Sequence, residues 1–94
     1  MNPDISSPLR VVVVEDHPMV REAIIDALSA EPDIVVVGQA GDGRSAVSEV
    51  LRLRPNVVLM DLFLPVQSGV EAIGQIKTAL PAAEVLVLTS ATDE

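Results

Sequence analysis

Ninety-four residues, 49% hydrophobic and 21% charged, suit one globular domain and leave no room for two. Six basic residues against fourteen acidic ones give a net charge of −8, which repels phosphate backbones and anionic lipid surfaces, so direct nucleic-acid contact by this segment and attachment to a membrane are not expected. The lack of cysteine excludes disulfides, a thiolate zinc site and a cysteine nucleophile; the N-terminus has no signal-peptide pattern and no apolar run approaches membrane-spanning length, so a cytoplasmic chain is expected.

Residues 1–8, with Pro3, Ser6, Ser7 and Pro8, read as a flexible leader, followed by one domain over residues 9–94. Val11 to Val14 is an unbroken apolar run, as expected for a strand buried on both faces of a parallel sheet, and it ends in Glu15-Asp16. A helix is predicted from about Pro18 to Glu31. Pro18 suits its first turn, Val20, Ile24, Ala27 and Leu28 share a face, and Pro32 ends it. A second strand is predicted over Ile34 to Val37, and a second helix from about Arg44 to Arg54. That helix has Val47, Val50 and Leu51 on one stripe, basic residues near its negative end and Pro55 as a stop.

The third apolar run, Val57 to Met60, ends in Asp61. The following Leu62-Phe63-Leu64-Pro65 predicts a sharp loop, because Pro65 holds Leu64 in extended geometry. Ser68 and Glu71 have capping-box spacing and open a third helix with Val70, Ile73, Ile76 and Leu80 on a common face, closed by Pro81. The last run, Val85 to Leu88, leads into Thr89-Ser90. Strands alternating with helices imply βαβ units in an open, doubly wound α/β sheet.

In such a sheet the ligand site lies beyond the carboxyl ends of the strands. Three separate strands end there in carboxylates or hydroxyls: Glu15-Asp16, Asp61 and Thr89-Ser90. Taken singly, Glu15-Asp16 could simply favour the positive end of the next helix, and Asp61 could simply end a strand. Taken together, three carboxylates would repel one another without a divalent cation. An all-oxygen ligand set favours magnesium, with manganese as the alternative. The loop after Asp61 makes the Phe63 backbone carbonyl the best-placed further ligand, its ring being expected to pack. Gly69 reads as a turn residue, and His17 as a partly exposed residue at the helix entry.

Glu15-Asp16, Asp61-Leu62-Phe63-Leu64-Pro65, Gly69 and Thr89 resemble the response-regulator receiver domain across residues 9–94, and Glu15-Asp16-His17-Pro18-Met19-Val20-Arg21 is similar to its NarL/FixJ-like subgroup. The resemblance implies a flavodoxin-like sheet of strand order 2-1-3-4. It implies that Asp61 is the phosphoacceptor, with Asp16, Asp61 and the Phe63 carbonyl binding magnesium directly and Glu15 acting through water. Thr89 would be the switch hydroxyl. A sensor histidine kinase or phosphotransfer protein is the implied partner, a DNA-binding domain outside this segment the implied output, and a regulatory domain rather than an enzyme the implied class.

A family member continues through a fourth helix, a fifth strand and a last helix, one part of which carries a lysine that pairs with the phosphoryl group. The sequence reaches Glu94, where the fourth helix should begin, so the domain is expected to be C-terminally incomplete; Lys77, in the third helix, cannot take that lysine's place. The last strand would then be an uncovered edge, inviting a homodimer or a strand-exchanged oligomer.

Three rival readings are weighed. A metal-dependent aspartyl phosphatase would want a carboxylate two residues after its nucleophile, where Phe63 stands. Gly38, Gly41 and Gly43 run as G-x-x-G-x-G after the second strand, the wrong order for dinucleotide binding, and are explained by turn formation. A receiver-like interaction or dimerisation module that is never phosphorylated fits the same residues.

Overall fold

The computed structural model describes residues 7–88, so the expected leader lies largely outside the described residues. The elements run β1 (Leu9–Val14), α1 (Pro18–Ser29), β2 (Ile34–Ala40), α2 (Gly43–Leu53), β3 (Val57–Asp61), α3 (Gly69–Ala79) and β4 (Glu84–Leu88). The strands form one parallel sheet in the order β2-β1-β3-β4, as expected for a flavodoxin-like fold. β2 runs past Val37 because Gly38, Gln39 and Ala40 pair with Val12, Val13 and Val14 across a register shift. Backbone pairing holds these residues in the strand where hydropathy alone would end it.

One face of the sheet is closed. Val12 and Val14 of β1 and Val58 and Met60 of β3 pack with Ala46 and Val50 of α2 and Ala72 and Ile76 of α3, all buried. The expected stripes of α2 and α3 largely face this contact, with Val47, Val50, Ile73, Ile76 and Leu80 in or against the core; Leu51 and Val70 are exposed instead, and the small Ala46 and Ala72 occupy the core. Small residues at the centre of a helix face let the helix approach the sheet closely.

α1 packs against β1 and β2 on the other face, and it differs from expectation. None of its residues is buried, Val20 and Ala27 of the expected stripe are exposed, and the helix ends at Ser29, short of Glu31. Val13, fully buried, lies beneath it, but β4 beyond is open, with Leu86 54% exposed. A 3.6-residue period marks the side of a helix fit for burial and says nothing of what lies opposite.

The helix ends are individually tied. Asp42 caps α2 by accepting from the Ser45 N–H at 2.7 Å, and Ser68 caps α3 by accepting from the Glu71 N–H at 3.2 Å. At the far end of α2, Arg54 turns left-handed (φ 49°), and Arg10 of β1 donates to the carbonyls of Leu53 and Arg54 at 2.7 and 2.8 Å. Asn56 knits the amino ends of three strands. Its side-chain oxygen accepts from the Arg10 N–H, its own N–H donates to the Arg10 carbonyl, and its carbonyl accepts from the Glu84 N–H. No described helix is long and apolar enough to cross a membrane.

Candidate metal and phosphoacceptor site

At the carboxyl end of β1 the chain leaves the sheet through Glu15-Asp16-His17, and β3 ends beside it in Asp61, one residue past the Val14–Met60 pair. Glu15 is the buried charged side chain, 6% exposed. Its Oε2 accepts from the His17 backbone N–H at 3.1 Å and lies 2.8 Å from His17 Nδ1. The chain bends through residues 16 and 17, and the bond from the His17 N–H back to the Glu15 carboxylate closes that bend and brings the pair together.

Asp16 is partly buried, and its Oδ1 is enclosed without a hydrogen-bond donor. His17 Nδ1 lies 3.1 Å from that oxygen, but it is directed to Glu15 and makes its hydrogen bond there. A buried carboxylate oxygen with no donor costs free energy that a cation would recover. Among the described residues, ligand atoms of Glu15, Asp16 and His17 lie within 4.8 Å of one another. The oxygens there are hard ligands, and the orphaned Asp16 oxygen is the observation that fits a divalent cation to this donor set.

His17 is more involved than its expected place as a bystander at the helix entry. Its pKa is raised above the usual histidine value, first by the hydrogen bond to Glu15, then by the charge of Asp16, with smaller contributions from the charges of Glu15 and Asp61. When protonated, the imidazole sits against the acidic pair as a cation would. The signal was present in the sequence as an acid and a histidine two residues apart at a strand end.

Asp61 stands outside the closest group and is partly buried. Its Oδ1 accepts from the Phe63 N–H at 3.0 Å, which fixes the carboxylate at the start of the loop. Phe63 is 70% exposed and does not pack as expected; its neighbour Leu64 is the loop residue that packs against the core. Gly69 donates to the Leu62 carbonyl at 3.0 Å, and a Cβ on it would meet the Asp61 carbonyl at 2.6 Å. Close approach, rather than turn geometry, requires glycine there; among the described residues no glycine has positive φ. Thr89 and Ser90 lie outside the described residues.

Arg21, one turn into α1, holds the first loop and escaped the sequence reading. Its Nη1 donates to the Glu15 carbonyl at 2.7 Å and its Nε to Gln39 Oε1 at 2.9 Å, tying the acidic turn to β2.

Comparison with known proteins places this geometry. Residues 11–94 match the family model of the response regulator receiver domain. The chain is 45% identical over 82 residues to the response regulator protein VraR of Staphylococcus aureus, covering 87% of this chain and 39% of that protein. It therefore spans about two fifths of the length of the curated relatives it matches. Among solved structures it is similar to the response regulator domain of Thermotoga maritima CheB, with a TM-score of 0.86 and 37% identity over 93% of this chain and 64% of that one. It is also similar to a LuxR-family two-component response regulator from Aurantimonas sp. SI85-9A1, with a TM-score of 0.83 and 36% identity over 88% and 59% of the two chains.

Proposed function

The chain belongs to the response regulator receiver domain family, and from that premise we propose that Asp61 accepts a phosphoryl group while Glu15 and Asp16 hold a magnesium ion beside it. The observation that carries this reading is the buried, donorless Asp16 oxygen, in the turn that follows β1, the strand paired with the one that ends in Asp61.

A carboxylate oxygen of Asp61 forms the new O–P bond as the P–N bond to the phosphohistidine of a partner kinase or phosphotransfer protein breaks. The electron pair of that bond, and then a proton, go to the departing imidazole nitrogen. Asp16, Asp61 and the Phe63 carbonyl are the groups that would hold the ion, and Glu15 would contribute through water. When bound, magnesium neutralises charge on the transferring group and orients its oxygens. The Phe63 N–H, already donating to Asp61 Oδ1, keeps that oxygen occupied and leaves the other to attack. Thr89 then donates to the phosphoryl oxygens and carries the change to the surface around β4.

The domain acts as a cytoplasmic phosphoacceptor rather than an enzyme with turnover, and it controls transcription through a DNA-binding region in the remainder of the protein. Incubating the chain with magnesium and acetyl phosphate should add one phosphoryl group, detected by intact mass. Asp61→Asn and chelation of magnesium should each abolish it. A folded sample that stays unlabelled would favour the alternative reading, a receiver-like interaction module, for which the exposed Leu86 and Val87 on edge strand β4 give a dimerisation surface.

A further inference from the structure

We propose that Gly43, the first residue of α2, is a positioning residue for the acidic site. Lacking a side chain, it lets the N-terminus of α2 seat the Pro65–Gln67 turn and so fixes the loop from which the Phe63 N–H reaches Asp61. The functional weight of this clamp rests on the phosphoacceptor reading of Asp61; its geometry does not.

Gly43 is buried and lies 18 residues before Asp61 in sequence, on a different element. A Cβ built on it would overlap the carbonyl of Gln67 and lie 3.0 Å from the Gln67 Cβ. Its backbone is helical with no positive φ, so space rather than dihedral freedom demands glycine. The Gly43 N–H also donates a long hydrogen bond, 3.4 Å, to the Pro65 carbonyl. That carbonyl accepts from the Gln67 N–H at 2.7 Å as well, which closes a γ-turn about Val66.

Val66 has φ 71°, a region that β-branched residues avoid, and its side chain is 70% exposed. Little packing of its own holds it there. The strain is held by its neighbours: Pro65 with its fixed φ on one side, and the Gln67 backbone resting on Gly43 on the other. The loop between β3 and α3 is short; besides Leu64, packed against the core, and Ser68, which caps α3, it is tied by the Gly69 N–H to the Leu62 carbonyl and the Phe63 N–H to Asp61. Displacing Gln67 therefore pulls on Phe63 and turns the Asp61 carboxylate.

Gly74, in α3, provides the contrast. A Cβ there meets nothing within 4 Å, so alanine should only favour the helix.

Amide spectra and hydrogen exchange of the metal-free chain test the clamp. In Gly43→Ala the Phe63 and Gln67 amides should shift and lose at least about tenfold protection, while Val12 and Val58 keep theirs; Gly74→Ala should leave all four in place. Magnesium affinity of Gly43→Ala should fall roughly 10–100-fold, the range for groups that orient a ligand from behind. A folded Gly43→Ala protein with unmoved Phe63 and Gln67 amides, or with protection lost equally in β1, overturns the proposal. If the loop amides respond but the parent chain takes up no magnesium, the clamp stands and the phosphoacceptor reading fails. Should Gly43→Ala not fold, Val66→Gly decides: a held turn gains stability when its strain is relieved, so its denaturation midpoint should rise, and an unchanged or lower midpoint overturns the clamp.

Discussion

The two faces of the sheet use the same strands and differ in how completely they are covered. On one, α2 and α3 bring Val50, Ala72 and Ile76 down onto Val12, Val14, Val58 and Met60 and exclude solvent. On the other, α1 shields Val13 but keeps no residue of its own buried, and Leu86 lies open at the edge. β1 is buried on both sides because α1 covers the face that α2 and α3 leave, whereas β3, also inside the sheet, is only partly buried on that face. Burial of a strand face, like burial of a helix, follows from what stands across from it.

The sharpest way to break this comparison is to cut into each face in turn. Ile76→Ala empties a fully buried position and should cost about 2–5 kcal/mol in urea denaturation. Val20→Ala, at a position 47% exposed on α1, should stay within about 0.5 kcal/mol. Equal costs would mean that α1 carries a core of its own and that the two faces are alike.

A smaller effect sharpens the comparison at the acidic edge. The His17 pKa is raised, so its contact with Glu15 and Asp16 stabilises the metal-free fold fully below the unfolded value near 6.5, and the contribution disappears as pH rises through the raised value. An NMR titration should place the imidazole above 6.5, and Glu15→Gln, which removes the charge of its hydrogen-bond partner, should bring it down. Denaturation midpoints should fall slightly over the same pH window. An unshifted titration would mean that the imidazole is not held against the carboxylates in solution.

Much of the fold was legible because hydropathy reports burial directly. Val11–Val14 reads as a strand since both its faces are covered, Val57–Met60 since Val58 and Met60 are fully buried and Val57 and Leu59 partly so, and Ser68 with Glu71 marked the start of α3 through the hydroxyl that caps it. What escaped was set by partners distant in sequence. Gly38, Gln39 and Ala40 belong to β2 only because β1 pairs with them. The exposure of Val20 depends on an unfilled surface, not on the period of α1. At the site, Glu15, Asp16 and Asp61 could be assembled from strand ends, whereas Arg21 and Gly43 could not. Their roles lie in a hydrogen bond to a backbone carbonyl and in an absent Cβ, neither of which leaves a pattern along the chain. Val66 is the extreme case, a residue type that would be the last assigned a left-handed turn.

The side chains of Asn56 and Arg10 tie the amino end of β1 to the start of β3 and to the far end of α2, and the Asn56 backbone carbonyl ties in β4, all away from the acidic edge. Tolerance to mutation should accordingly be graded along the strand axis. Exposed side chains at the acidic edge, such as those of Phe63 and His17, should accept substitution with the register still enforced from the opposite end. The same separation suits grafting: loops exchanged between relatives at the carboxyl edge should transplant more readily than a change at Asn56, whose side chain accepts from the Arg10 N–H and joins the start of β3 to β1.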